Sequence, residues 1–517
     1  MQNVTDSWKA VQLNTIVPIS YIEISYQAGN IEAQESASAN IEAGGETPYS
    51  DISQVIDLIG TPNNWAMLEH NSWLLDGNSA IIPGSLEDKA LGYVSSVLSN
   101  SNALFDVVPT IKLTFPALIT QGSEGVTIVW SSAYNELARS FRITTYNDSE
   151  LVSQITVTDN DQITSAVDFP INNYNKIIFE VLEWSLPNRR CRIDEILLGV
   201  NKVFGKSSLM GYEHEISSDP LSAILPKNTI IFKISNVDGY WNPENPQGAA
   251  QYLGERQKII VKYGYKIGAS IEWIQAGTFW LSEWYTPQNG ITAQFTARDM
   301  SEFMSAKYTG RTTGTLYEIA YDAFLQADLP LNEEGNPRYE IDSSLNSISV
   351  ANVTELPDHT IAEVLQMCAN AACCVMLLKR DGQYAITQLS YVLSDYVINR
   401  FNSWEDAEIE LSKELKSVNV NSGMGSSQNS TTGEIQTAEN PLIQNASVAN
   451  SVAVWIKDIL KNRKTVSGEY RSDPRLDVLD YISLNNKYSS DSTVLITSIK
   501  YTYNGSFKGV YEGRILS

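Results

Sequence analysis

Apolar and polar residues alternate along much of the chain with the period of two expected for half-buried strands. Phe141, Ile143 and Thr145 fall opposite Arg142, Thr144 and Tyr146, while Val126, Ile128 and Trp130 share one face. Segments of this kind at 110–115, 126–131, 140–146, 154–158, 176–184 and 190–198 are evenly spaced, which predicts a β-sandwich over residues 52–203. Upstream, 15–27 predicts a strand pair or one bent strand. Residues 28–50, rich in Gly, Ala, Ser, Asn and Glu and without a clear period, predict a loop or linker.

A second β region spans 205–310. Its clearest unit is a hairpin, 278–285 and 291–298, around Pro287-Gln288-Asn289-Gly290, where Asn-Gly supplies the positive φ angles of a tight turn. Asp299 followed by Glu302 predicts a capped short helix through Met300, Phe303 and Met304. The period then becomes helical: Leu316, Ile319, Ala320, Ala323, Phe324 and Ala327 share a face, as do Ile361, Val364, Leu365 and Cys368. Thr360 with Glu363 forms a capping box. The second helix leads into a strand at 374–379, the turn Arg380-Asp381-Gly382 and a return strand at 383–389. Residues 311–400 thus predict a small α+β domain. From 401 to 517 the pattern predicts a strand at 415–420, a mobile loop at 421–436, a helix at 448–462 and a closing hairpin, 494–503 and 507–515, around Asn504-Gly505.

Composition narrows the functional classes. A chain of 517 residues exceeds one hydrophobic core and predicts three or four domains. With 43% hydrophobic and 10% aromatic residues it has the apolar surface to fold. The net charge of −24, with no Lys/Arg run, argues against sequence-reading nucleic-acid binding, yet suits a wall along which DNA slides without being held. The start lacks the basic and apolar regions of a secretory signal, and no window approaches a membrane span, so synthesis in a cytoplasm is expected. Cys191, Cys368, Cys373 and Cys374 are laid out as buried thiols rather than as a disulfide framework or zinc site.

Candidate chemistry is sparse. His70, His214 and His359 have no metal-ligand spacing, and neither a nucleophile elbow nor a phosphate loop is present. Among 60 carboxylates, pairs such as Glu283 with Glu302 or Asp473 with Asp480 arise by chance and need geometry before any acid/base role. The chain is therefore expected to be no enzyme and to need no cofactor. Residues 235–245 offer oxygen ligands but lack the spaced acids of a calcium loop, so a turn-rich connector is expected. Asp473-Pro474 predicts a turn before a strand at 481–484.

The sandwich, with its ending EWSLPNRRCRIDEILLGV, resembles the galactose-binding-like jelly roll. In that light Trp73, Tyr134, Tyr146, Tyr174 and Trp184, with Arg189 and Arg190, are the residue types that stack on sugars and bond their hydroxyls. The bland alternatives are core aromatics and an arginine salt link to a neighbouring subunit.

Two further stretches carry a family resemblance. ISNVDGYWNPENPQGAAQYLGERQKIIVKYGYKIGASIEWIQAGTFWLSEWYTPQNGITAQFTARDMSEFM at 234–304 resembles the tail hub, or tail-tip minor structural protein, of phages infecting Gram-positive bacteria. VSGEYRSDPRLDVLDYISL at 466–484, with the closing hairpin, looks like the last barrel of the same family. The resemblance implies a mainly β protein: a first hub-type β-barrel from 1–50 and 205–310, the inserted jelly roll at 52–203, the α+β domain at 311–400 and a second barrel at 401–517. It further implies a homotrimeric ring at the distal tail tip of a virion. Its implied partners are the distal tail or tail tube protein, a tape measure protein, and a tail fibre or receptor-binding protein, with a host cell-wall glycan as ligand. A host-surface carbohydrate-binding adhesin is the alternative.

Overall fold

The computed structural model describes residues 1–12, 19–48, 50–56, 65–66, 80–81, 92–120, 122–131, 134–206, 208–221, 224–237, 239–245, 253–268, 270–287, 290–330, 336–471, 473–487 and 492–516. The protein is mainly β. Among the described residues its largest element is a 13-stranded sheet assembled from both ends of the chain.

One half of that sheet runs in the spatial order Gly199–Phe204, Ser20–Gly29, Lys258–Ile267, Ser270–Tyr285, Thr292–Arg298, Lys227–Ser235, Leu209–Ser217. The other half holds Ser492–Tyr503, Phe507–Ile515, Lys464–Tyr470 and Glu408–Leu411, with Tyr481–Leu484 and Leu393–Ile398 branching from Ser492–Tyr503. The halves join where Leu209–Ser217 pairs antiparallel with Ser492–Tyr503, placing Tyr212 opposite Tyr503, His214 opposite Tyr501 and Ile216 opposite Ile499. Alternate residues of most of these strands point into one core that both halves share, including Ile24, Phe232, Val261, Phe295, Ile482, Ile499 and Tyr511. The strands read from the sequence as belonging to two barrels therefore form one continuous hydrogen-bonded sheet.

The predicted hairpins are present. Ser270–Tyr285 pairs with Thr292–Arg298, and Ser492–Tyr503 with Phe507–Ile515, each with a bulge that bends the longer strand. Residues 288 and 289, in the turn of the first hairpin, lie outside the described residues.

Within the 52–203 region expected to form a sandwich, the strands of 93–197 make two sheets, joined by Ser38–Ala43 from outside it: a five-stranded sheet, ordered Ser38–Ala43, Thr110–Ile119, Tyr174–Trp184, Ala138–Asn147, Glu150–Val157, and a four-stranded one, ordered Thr164–Ile171, Ser123–Trp130, Arg190–Leu197, Tyr93–Leu98. Phe141, Ile143, Val126, Ile128 and Trp130 fill its core, as their alternation predicts. Residues 28–50 are not a simple linker. Asn30 caps a helix, Ile31–Ser36, by accepting from the Ala33 amide at 2.9 Å, and Ser38–Ala43 pairs with Thr110–Ile119. This segment belongs with the sandwich rather than with the first barrel. Its small and polar residues hide the strand because one of its faces stays largely exposed.

The neck between sheet and sandwich is stitched by buried side chains. The Gln34 carbonyl oxygen accepts from Leu198 N at 2.8 Å, its amide donates to Ile196 O at 2.9 Å, and Thr127 Oγ1 donates to Gly199 O at 2.8 Å. Glu124, on the sandwich, forms an ion pair with Lys202 of the large sheet at 2.9 Å.

The helices Leu316–Ala327 and Ile361–Ala371 each begin with a complete capping box, Thr315 with Glu318 and Thr360 with Glu363. They pack with a three-stranded sheet, Tyr339–Ile341, Tyr384–Gln388 and Cys374–Leu378. Their core extends beyond residue 400: Leu415, Val418, Val420, Leu442, Ala449, Val452 and Ala453 belong to it. Residues 415–460, read as part of a second barrel, instead place a small sheet and the helix Ala446–Leu460 against this domain. The expected mobile loop at 421–436 contains the strand Gly425–Gln428 and leads into Glu434–Ala438, both paired to Leu415–Val420.

Candidate functional site at the junction of the sheet halves

The sheet halves meet around a buried polar network. His214 lies at the joining strand with Nδ1 2.5 Å from Tyr263 Oη and Nε2 2.5 Å from Asn228 Oδ1, and Tyr263 Oη is 2.8 Å from Tyr212 Oη. Burial, followed by the nearby positive charge of Arg380, lowers the His214 pKa to about 3, so the ring is neutral. Across the join, the Tyr470 hydroxyl donates to Tyr501 Oη at 3.3 Å, and the Tyr501 hydroxyl donates to Leu476 O at 2.8 Å. The polar ends are satisfied within each half, and ring packing crosses the join, with Tyr263 5.8 Å from Tyr501 and 4.8 Å from Phe507 between ring centres.

The segment Asp473-Pro474-Arg475-Leu476-Asp477-Val478-Leu479-Asp480 ties distant parts of the chain to this core. Asp473 is 2.6 Å from the Arg475 guanidinium and accepts from the Trp8 indole at 3.4 Å. Asp477 is 2.7 Å from Arg380 and accepts from the Gln2 amide at 2.8 Å. Asp480 lies 2.5 Å from the N-terminal ammonium, and burial raises its pKa despite that partner. All three carboxylates thus hold the N-terminal segment, through Trp8, Gln2 and Met1, and Asp477 adds Arg380. Asp473 and Asp480, which the sequence left open as a carboxylate pair, have separate cationic partners.

Arg380 is the link to the α+β domain. From the turn between Cys374–Leu378 and Tyr384–Gln388 it also donates to Leu476 O at 3.0 Å and Gln275 O at 3.2 Å, so one guanidinium touches both sheet halves. Nearby, Asp299 caps the 3-10 helix Met300–Met304 by accepting from Ser301 N at 2.7 Å, and accepts from the Tyr384 hydroxyl at 3.0 Å. Burial raises its pKa to about 6. The reciprocal partner expected of Glu302 is replaced by a contact with Arg298 at 3.4 Å. A short cavity of about 250 Å³ lies beside this region, lined by Met1, Gln2, Val4, Lys9, Asp395 and Arg475.

The residues expected to bind sugar stand in different settings. Trp73 lies outside the described residues. Tyr174 and Trp184 are fully buried, packed edge-on against Phe115 and Trp130. They begin and end one strand, roughly 30 Å apart at 3.2–3.4 Å per residue. The Trp184 indole donates to Glu136 at 3.0 Å, and Arg189 pairs with the other oxygen of Glu136 at 2.9 Å, so that arginine is spent inside the sandwich. Arg190 donates to the carbonyls of Ser95 and Ser96. Tyr134 lies under Arg192 at 4.4 Å and Tyr146 under Lys176 at 4.5 Å; both rings are partly exposed.

In the 235–245 connector, polar side chains turn to the local backbone. Asn236 Oδ1 accepts from Trp241 N at 2.8 Å and Asn242 Oδ1 from Glu244 N at 3.0 Å, while Asp238 lies outside the described residues. Among the described residues no group of three His, Cys, Asp or Glu is placed to hold a metal ion. Cys191, Cys368 and Cys374 are buried and Cys373 is half-buried; burial pushes the Cys373 thiol up to about 11.

The sequence singled out the turns at Arg380 and Asp473-Pro474 but not their meeting, which depends on residues about a hundred positions apart. The alternation of Asp with apolar residues in 473–480 was the available signal.

No family model matches the chain, and no curated protein matches it. Solved structures resemble part of it. The 43 kDa tail protein of prophage MuSo2 from Shewanella oneidensis is 13% identical, over 61% of this chain and 96% of that one, with a TM-score of 0.41. A tail protein from Neisseria meningitidis MC58 is 11% identical, over 59% and 92%, with a TM-score of 0.43. An E. coli type VI secretion system component, described as structurally similar to the T4 tail proteins gp27 and gp5, is 10% identical, over 60% and 74%, with a TM-score of 0.37.

Proposed function

We propose that this chain is a structural hub at the distal tip of a phage tail, forming a trimeric ring that adapts a sixfold tail tube to threefold tip components. The observation that carries the reading is the single sheet made of two halves joined by Leu209–Ser217 and Ser492–Tyr503, locked by Arg380 and the 473–480 segment. A chain that supplies two ring units must hold them in one fixed relation, and a buried polar lock over a shared core does so. The resemblance of 234–304 and 466–484 to tail hubs falls on strands of these two halves.

In this reading the tail tube and tape measure proteins are neighbours above the ring, and a fibre or receptor-binding protein lies below. The acidic chain leaves DNA free to pass. Host attachment is assigned to the sandwich, and a cell-wall glycan is tested by array binding of the intact chain. The chain mass is 57.4 kDa, so light scattering of the purified protein is expected to give three times that value. A persistent monomer at high concentration contradicts the ring and moves the adhesin reading ahead.

A further inference from the structure

The chain passes between the large sheet and the sandwich twice, at Gly29-Asn30 and at Leu198-Gly199. Gly29 and Gly199 are paired with one another at the end of the ladder between Ser20–Gly29 and Gly199–Phe204. A backbone bond from Asn30 N to Leu198 O at 2.9 Å carries the pairing one step further. Two facing glycines at a two-strand crossing can absorb changes in φ and ψ that other residues resist, which is what a hinge requires. Around them the neck is stitched. To the bonds of Gln34 and Thr127 the sheet adds Gln257, whose amide donates to Gly29 O at 2.7 Å and whose carbonyl oxygen accepts from the Tyr26 hydroxyl.

One stitch is ionisable. Glu124 leaves the sandwich strand Ser123–Trp130 and is 4% exposed, while Lys202, on the sheet side of the glycine pair, reaches it at 2.9 Å and lies 5.0 Å from the Tyr240 ring. Neither oxygen of Glu124 has an aligned hydrogen-bond donor among the described residues, so Lys202 balances the charge without replacing the water it has lost. Each neighbouring strand brings its own titratable group: Thr164–Ile171 places Asp168 opposite Gly125, Ser20–Gly29 supplies Tyr26, and Arg190–Leu197 carries Glu195, further along opposite Val129. Burial, followed by the like charge of Asp168, raises the Glu124 pKa above the ordinary carboxylate value against the pull of Lys202. A carboxyl whose value is raised by docking contributes fully below its ordinary value, and that contribution is lost as pH rises through the raised one.

We propose that the neck is a proton-linked latch: docking the sandwich against the sheet buries Glu124 beside Lys202 and takes up a proton there, and a swing about the Gly29–Gly199 pair exposes Glu124 and releases the proton to solvent. Acid therefore holds the sandwich docked, and neutral to alkaline surroundings favour its release. The bonds of Gln34, Thr127 and Gln257 do not titrate, so they keep the docked state the major one while Glu124 sets how its opening depends on pH. The latch stands on the neck alone and holds whether or not the chain is a tail hub.

The experiment is amide hydrogen exchange of the full chain at pH 4.5 and pH 8, read at the neck amides of Asn30 and Leu198. The wild type is compared at each pH with Glu124→Gln, which keeps the shape of the neutral carboxyl and cannot ionise; taking the ratio at one pH cancels the intrinsic chemistry of exchange. Wild-type protection is expected to match the variant at pH 4.5 and to fall several-fold below it at pH 8, with a steeper fall in Lys202→Met, where the buried carboxylate has lost its counter-charge. Ile128, in the sandwich core, is the control and should keep one ratio at both pH values. A neck ratio that stays constant, or that moves the other way, overturns the latch. A fall at Ile128 in step with the neck also overturns it, since the sandwich would then be unfolding rather than swinging.

Discussion

Arg380 ties several parts of the architecture together, because it is buried and bonded to Asp477 and Leu476 O of one segment and to Gln275 O of another. Removing one member of such a pair strands the other. Asp477→Ala is expected to cost roughly 3–5 kcal/mol in a denaturant titration, and Arg380→Met combined with Asp477→Leu much less, since no buried charge is then left unpaired. Two other buried groups pull stability in opposite directions with pH. The folded pKa of Asp299, about 6, lies above its ordinary 3.8, so its contribution is fully present below that ordinary value and is lost as pH rises through 6. His214, at about 3 against 6.5, contributes above 6.5 and loses it as pH falls towards 3. Relative to Asp299→Asn, the wild type should therefore gain up to about 3 kcal/mol between pH 7.5 and 4, read from paired denaturation curves. A constant difference across that range contradicts a raised Asp299. At this scale the sequence was readable where a residue acts locally, as in both capping boxes, and silent where it acts at a distance, as in the sandwich's Trp184, Glu136 and Arg189.

Elements show the same division. Hairpins and amphipathic helices announce themselves because turn residues and periodic faces sit within about 15 positions, and the closing hairpin and both α+β helices are where their patterns place them. The segment around 421–436 misleads because its Gly, Ser and Asn residues serve packing. Gly425 has no side chain because a Cβ there would lie 2.3 Å from the Ala449 carbonyl carbon, in the backbone of the helix Ala446–Leu460. Asn421 bonds Asn440 and the Ile443 carbonyl to fold the strand ends together. Gly425→Ala is expected to cost about 1–3 kcal/mol by pushing strand and helix apart, and hydrogen exchange in 415–456 should accelerate. A thermally neutral Gly425→Ala contradicts that close packing. Thr315→Ala and Thr360→Ala, by contrast, should each cost about 1 kcal/mol, confined to one helix start.

At the scale of the molecule, what the sequence did not disclose is the union of the two sheet halves. Tyr212 and Tyr503 are 291 positions apart, and a strand with one apolar face carries no mark of which other strand it will meet. Family resemblance brought the two regions to attention, and the hydrogen-bonded register joined them. The neck at Gln34, Glu124 and Lys202 makes a further whole-molecule prediction. Because the sandwich is stitched to the sheet by buried bonds, small-angle scattering should fit one rigid body, and Gln34→Ala with Glu124→Ala should broaden the distance distribution. The most direct test of the account is single-particle imaging of the purified protein at the mass peak found by light scattering. A threefold ring with an axial opening, six sheet units around it and a sandwich lobe on each subunit is the result predicted. Monomers, or oligomers without a threefold axis, would contradict it.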